Sequence, residues 1–405
     1  MSALLNYPRF LWKALGVATD GGIPFITWMT ALTAIALVGI NAWAHQLSGG
    51  MALTALNDHV SWGLYVGNFS YGVGLAAGAV TMMLPAYIFH DDDMHDVVIV
   101  GQILAVAVII GSLIFVTVDI GRPEQSWHLI PYIGRFNWPV SMLSWDVVVL
   151  SVYLGLNLHA TGYLLYMRYL GRKPEKRWIL PFIFGSIVWA FSLHTVAAFL
   201  YCGLGGRPIW NSAVLAPRFV VSAFLSGAAI MVISLQILSR FTDTFEVKGA
   251  ISTLLKIVRV TILLNLFLVA AEVFTEFYTG TTHAVSAQYL FFGLHGHNAL
   301  VPWIWSALAM EVVAALILFT SDDTHLLRLD IACALILVAI WIEKGMAMVV
   351  PGFVPDTLHD IVEYLPNALE WKVSAGVLAV VLMVFTLGLK LASAIFSGEM
   401  RAEKP

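Results

Sequence analysis

Ionisable side chains inside long apolar runs are where this sequence can do chemistry. Each costs roughly 3 kcal/mol or more at the centre of a bilayer, so each needs a reason. One group falls in three successive runs. Asp119 and Arg122 close the first of these, three residues apart and able to pair. Asp146 lies one to two turns into the next, after Asn137-Trp138-Pro139, and His194 lies two turns from the end of the third. Successive spans run in opposite directions, which predicts Asp146 and His194 at similar depth. Such a pair can exchange protons near neutral pH; a structural hydrogen bond between packed helices is the plainer alternative.

A second group comprises Glu272 and Glu276, four residues apart on one face, Glu311 in mid-run, and Glu343 beside Lys344. Paired charges facing a bundle interior mark proton or ion paths, or form an ion-pair network that only holds helices together. A third feature is His59, Trp62, Asn68, Ser70 and Tyr71 on a glycine-rich stretch with Gly63-x-x-x-Gly67 and Gly74-x-x-x-Gly78. That spacing suits close helix packing. An aromatic wall beside a titratable group also suits a quinone headgroup, whose ring stacks and whose carbonyls need proton-bearing donors.

The elements that must position these residues follow from composition. The chain has 405 residues, 60% hydrophobic and 11% charged, with a mean hydropathy of +0.85. Soluble domains carry about a quarter charged residues, so a water-soluble enzyme is excluded and a multi-span α-helical membrane protein is expected. A net charge of −4 offers no basic surface for nucleic acid. Ten spans are expected, near 23–44, 60–89, 97–118, 142–166, 180–201, 219–238, 254–277, 300–319, 329–349 and 372–391. Ala42-Trp-Ala44 imitates a signal-peptide cleavage site, but the preceding apolar core is too long for one and the helix is expected to be retained. Fifteen of the 21 lysines and arginines fall on the side of both termini, which predicts cytoplasmic N and C termini. The opposite, outer connections are rich in Trp, Pro and Gly. The stretch 351–370 reads as an amphipathic helix on that face, either an interfacial anchor or a docking surface. Gly121-Arg122-Pro123 recurs as Gly206-Arg207-Pro208, each soon followed by Trp.

Cofactor ligands are scarce. Two cysteines, Cys202 and Cys333, cannot hold an iron–sulfur cluster and fall at opposite faces. No metal-ligand spacing appears, and His159 and His194 lie at different depths, against a bis-histidine haem. A secondary transporter would want interrupted helices at the midplane, and no such pair is evident.

The run from Asp119 to Ile130, with Phe136-Asn-Trp-Pro-Val-Ser-Met-Leu-Ser-Trp-Asp146, resembles the NrfD/PsrC family of membrane quinone oxidoreductase subunits. The run Phe199-Leu-Tyr-Cys-Gly-Leu-Gly-Gly-Arg-Pro-Ile-Trp-Asn211, followed by Leu215-Ala-Pro-Arg218-Phe, is similar to the DsrP-type subunits of DsrMKJOP complexes in sulfur-metabolising prokaryotes. The similarity spans about residues 60–240. It implies an all-α integral membrane subunit built from two four-helix bundles (60–201 and 213–349) with flanking helices at 23–44 and 372–391. It further implies exchange of electrons between menaquinone and a ferredoxin-like iron–sulfur protein on the outer face. A multihaem cytochrome c and further membrane and cytoplasmic redox subunits would complete a complex in the cell membrane. Carried onto this chain, the headgroup region is His59, Trp62, Asp119, Arg122 and Trp138, with Asp146 and His194 handling protons. Glu272, Glu276, Glu311, Glu343 and Lys344 form the expected proton path. A non-catalytic membrane anchor and a secondary transporter stay open as other readings.

Overall fold

The structure, a computed structural model, describes residues 2–278, 280, 283–356 and 358–402, with side chains from Asn6 onward except that of His283. Its described elements are helical, because a chain crossing hydrocarbon must satisfy its backbone polar groups internally. In chain order they are α1 (Ser2–Thr19), α2 (Ile23–Gly49), α3 (Leu64–Leu75), α4 (Ala77–Met83), α5 (Asp92–His95), α6 (Val98–Asp119), α7 (Met142–Tyr169) and α8 (Lys176–Cys202). There follow α9 (Leu215–Ser239), α10 (Lys248–Tyr278), α11 (His283–Phe292), α12 (Val301–Thr320), α13 (Leu326–Lys344), α14 (Met346–Val349) and α15 (Ala368–Phe396).

Among the described residues nine helical segments are long and apolar enough to span a membrane: α2, the unit Leu64–Ile88, α6 to α10, α12 and α15. The remaining expected span, 329–349, is α13, which is helical and packed inside the bundle but carries Arg328, Asp330, Glu343 and Lys344. It also stops early. Gly345 leaves the helical region at φ −88°, ψ −104°, and the chain continues as the short α14 and a 3-10 turn, Val350–Phe353. One helix is therefore interrupted, with its charged end buried.

The overlong second span resolves into pieces. Residues 60–63 are not helical, Ala76 separates α3 from α4, and a π turn occupies Leu84–Ile88. Pro85 cannot donate to the ladder, and Phe89 N–H reaches back to Leu84 O at 3.2 Å. The amphipathic helix expected at 351–370 is absent from the described residues there. After the 3-10 turn the described residues are irregular until Asn367 caps α15. Pro351, Gly352, Pro355 and Pro366 in that stretch supply few of the backbone donors and conformations a helix needs. In contrast, α1 is a helix the hydropathy pattern does not announce; its Leu11, Trp12 and Leu15 are exposed, as on a helix lying at an interface.

The helices close two rings. The unit α3–α4 packs on α6, α6 on α7, α7 on α8, and α8 returns to α3 and α4. Likewise α9 packs on α10, α10 on α12, α12 on α13, and α13 returns to α9. Helix α9 is the seam, also touching α3, α4 and α8, while α2 and α15 pair outside with α15 against α6. Glycine sets the approach at both contacts. A Cβ on Gly227 of α9 would sit 2.6 Å from the Gly78 nitrogen, and one on Gly376 of α15 would sit 2.6 Å from the Gly39 Cα. Backbones therefore touch there. Gly376→Leu is expected to prise α15 from α2, destabilise the chain by ~1–3 kcal/mol through overpacking, and so lower the thermal unfolding midpoint in detergent; an unchanged midpoint would show that this contact carries no stability.

Candidate functional site

The connections 50–63, 120–141, 203–214 and 345–367 share one face, the loop face; the other carries most lysines and arginines and is the basic face. Just inside the loop face lies an aromatic cluster. Trp62 stacks on Trp210 (centroids 5.8 Å, 24°) and meets Tyr201 and Phe353 edge-on at 5.7 and 5.9 Å. Trp210 is fully buried, and its indole N–H donates to Met348 O at 2.8 Å. The Tyr201 hydroxyl shares a 2.5 Å hydrogen bond with Ser70. Arg207 lies 4.7 Å over the Phe353 ring, a cation–π contact. Of these residues only Trp62 and Ser70 stand out as single residues in the sequence. For Trp210 the signal is the repeated Gly-Arg-Pro. Both copies do share a local geometry, the arginine at φ −127° or −118° before a 3-10 turn that begins at proline.

Asp146 and His194 both lie inside the first ring, 1% and 2% exposed. They are not hydrogen-bonded to each other. Four residues into α7 puts Asp146 about 6 Å from that helix end, whereas eight residues from Cys202 puts His194 about 12 Å deep. Asp146 therefore acts electrostatically on Tyr201, two turns nearer the loop face than His194. His194 donates its Nδ1–H to Ala190 O, 2.5 Å away, and its charged neighbour is Lys344. Among the described residues Asp146 Oδ1 and His194 Nε2 are buried and make no hydrogen bond of good geometry, although the Val73 and Gly74 backbone lies close to the His194 ring. Buried polar atoms are rarely left so; they are what a ligand or water would satisfy.

The remaining residues of the first group are spread out. Asp119 and Arg122 do not pair: Arg122 is exposed on the turn beyond α6, while Asp119 stays half-buried near Tyr65, Tyr201 and Glu370. The helix ends at Asp119, so the helical i to i+3 spacing that would have joined them no longer applies. Trp138 packs on Trp145 (4.1 Å) and stacks with Phe136 (6.3 Å). His59 bonds through Nδ1 to Asp356 at 2.8 Å, tying the segment before α3 to the stretch that follows the 3-10 turn. That hydrogen bond, with backbone amides of Asp360 and Leu358, holds the Asp356 carboxyl below its usual range. Nearby, the Tyr364 hydroxyl accepts from Leu64 N–H at 2.9 Å and donates to Glu370 at 2.5 Å; burial and the Glu370 charge push that phenol above its usual value.

The second group is a connected network. Arg218, at the start of α9, forms ion pairs with Glu272 of α10 and, at 2.8 Å, with Glu343 of α13. Asn265 donates to Glu311 (3.2 Å) and to Glu343 (3.1 Å), bridging α10, α12 and α13. Lys344 donates to Phe219 O at 3.1 Å and lies 4.8 Å over that ring. Gly74 makes room for it, since a Cβ there would sit 3.0 Å from the ammonium. Lys344 thus faces the first ring while Glu343 faces the second. A cavity of about 40 Å³, room for about one water, is bounded by Arg218, Glu272, Glu276, Trp210 and Met348. Arg218 and Asn265 are the members that sequence reading leaves out as candidates. Asn265 stands seven residues, two helical turns, before Glu272, so its placement on the same face is readable from spacing.

These features define a polytopic helical membrane protein with an aromatic and titratable interior near one face. Residues 52–344 match the family model described as polysulphide reductase, NrfD, and the chain belongs to that family. A selenate reductase subunit from Mesobacillus selenatarsenatis is 25% identical over 407 residues, covering 90% of this chain and 93% of that protein. The Hdr-like menaquinol oxidoreductase integral membrane subunit of Archaeoglobus fulgidus is 23% identical, covering 91% and 93%. The menaquinone reductase integral membrane subunit of Nitratidesulfovibrio vulgaris is also 23% identical, covering 90% of each chain. Two of these relatives are thus named as integral membrane subunits of menaquinol or menaquinone oxidoreductases and the third as a reductase subunit.

Proposed function

We propose that this chain is the quinone-reactive membrane subunit of a multisubunit oxidoreductase. It exchanges electrons between menaquinone or menaquinol and an iron–sulfur protein docked on the loop face. The observation that carries this reading is the pair of buried titratable groups, Asp146 and His194, whose Oδ1 and Nε2 make no well-formed hydrogen bond among the described residues, behind the Trp62–Tyr201–Trp210–Phe353 cluster. Quinone and quinol differ by two electrons and two protons. The aromatic rings supply a stacking surface for the headgroup, Asp146 and His194 exchange its protons, and the electrons pass to or from the partner's cluster. His59 and Arg122 belong to the surrounding surface: His59 holds the 351–367 stretch in place, and Arg122 is presented to the docked protein. The relatives named for menaquinol or menaquinone chemistry support the quinone type, and the 199–219 motif supports sulfur or sulfite metabolism as its setting. Cytoplasmic termini follow from the basic-face charge bias.

Glu272, Glu343, Glu311 and Lys344 extend the proposal to proton movement. Glu272, Glu311 and Glu343 share one cation, Arg218, while Lys344 turns to the first ring, so the network holds carboxylate charge that a proton can neutralise. Glu276 borders the water-sized cavity where that route meets the loop face.

A menaquinone analogue titrated into the purified chain is expected to quench tryptophan fluorescence saturably, through Trp62 and Trp210. Quenching that rises linearly without saturation would support an inert anchor instead. Glu311→Gln is expected to remove any pH change linked to turnover while quinone reduction continues; if the pH change persists, Glu311 serves packing only.

A further inference from the structure

The basic face carries a second cavity, remote from the aromatic cluster. It measures about 500 Å³, within the ~300–1,000 Å³ range of small-molecule sites. Helix ends surround it: the π turn after α4, the short α5 with the N-terminal end of α6, the C-terminal ends of α7 and α15, and the N-terminal end of α8. Its walls are of two kinds. Ile179, Leu180, Phe184 and Phe396 give an apolar groove running into the spans, and Arg168, Lys176, His90 and His95 cap it at the helix ends. Asp96 is the one carboxylate in the lining.

The two permanent cations have no carboxylate partner among the described residues. Arg168 is held 4.6 Å over the Phe396 ring, a cation–π contact that restrains the guanidinium at the mouth of the cleft. Lys176 opens α8, where Glu175 is already engaged by Arg177 at 2.7 Å. Arg172 and Lys173 on the connecting loop add to the same field. A ligand that fits must be amphiphilic, with acyl-like apolar mass below and an anionic group at the level of the helix ends. Cationic clefts between spans at that level recognise anionic lipid headgroups, and a guanidinium matches phosphate oxygens bidentately.

We propose that this cleft is a binding site for an anionic phospholipid, with its phosphate on Arg168 and Lys176 and an acyl chain along Ile179, Phe184 and Phe396. The site ties α7, α8, α15 and the turn after α4 together on the side opposite the quinone-reactive region, and does not depend on that assignment.

The test uses the full chain in detergent, with dioctanoyl phosphatidylglycerol, dioctanoyl phosphatidylcholine and inorganic phosphate as probes and thermal unfolding as readout. Phosphatidylglycerol is expected to raise the midpoint saturably, with the other two inert at equal concentration. Arg168→Gln with Lys176→Gln is expected to weaken the apparent affinity about tenfold or more, from two lost surface-level cations. Lys248→Gln with Arg328→Gln removes equal charge from the second ring of the same face and is expected to change nothing. Both target positions are exposed, and the single variants keep the comparison available should the pair misfold. Equal stabilisation by phosphatidylcholine, stabilisation by phosphate alone, competition by a menaquinone analogue, or equal weakening in both double variants would each overturn the assignment.

Discussion

Arg218→Met is expected to destabilise the membrane domain by about 3–5 kcal/mol, the range for removing one partner of a buried ion pair. The size follows from what is left behind. Arg218 and Glu272 are each 13% exposed and Glu343 2%, and the guanidinium reaches both carboxylates. Methionine fills similar volume, so the loss comes from two stranded charges and not from a void. Arg218→Lys should fall between, because a lysine cannot fork between two helices as a planar guanidinium does. Restoring charge balance, with Arg218→Met combined with Glu272→Gln and Glu343→Gln, should recover most of the loss, since isosteric neutral replacement of a whole buried network is often close to neutral. Thermal unfolding of the four proteins in one detergent measures this. A midpoint for Arg218→Met within error of the parent would mean that water already screens the pairs.

How far the sequence can be read depends on the kind of information each feature needs. Span-length apolar runs identify helices residue by residue, which is why α2, α6 to α10, α12 and α15 lie close to their expected positions. Glu343-Lys344-Gly345 reads as continuous helix; its interruption arises from tertiary packing, where a Cβ on Gly67 would meet the Gly345 Cα at 3.0 Å. The 351–370 stretch alternates charge and apolar residues like an amphipathic helix, and its prolines outweigh that pattern. Pairings across helices are the least accessible. Depth alone suggests Asp146 with His194, but depth in turns of helix differs by one, and the two feel different neighbours, Asp146 the Tyr201 phenol and His194 the Lys344 ammonium. Arg218 looks like one more arginine at a helix start until α10 and α13 bring two carboxylates to it.

That change of partners shapes the second large effect. In the assembled complex, Asp146→Asn and His194→Ala are each expected to slow quinone-dependent electron exchange by about 10²–10⁴-fold, the usual contribution of a positioned proton donor or acceptor. Asparagine keeps the shape of the buried aspartate, so normal assembly is expected and separates chemistry from folding. Two protons must move for every two electrons, and the structure gives the two groups different surroundings: Asp146 beside Tyr201, His194 beside Lys344. If each serves its own proton, the double variant should lose close to the product of the single losses. If instead they act as one relay through the bound headgroup, the second replacement should add little, as for residues that work as a unit. A double-mutant cycle on turnover at saturating quinol distinguishes the two. Single variants that turn over within about twofold of the parent would remove both residues from the reaction and leave the aromatic cluster as a packing feature.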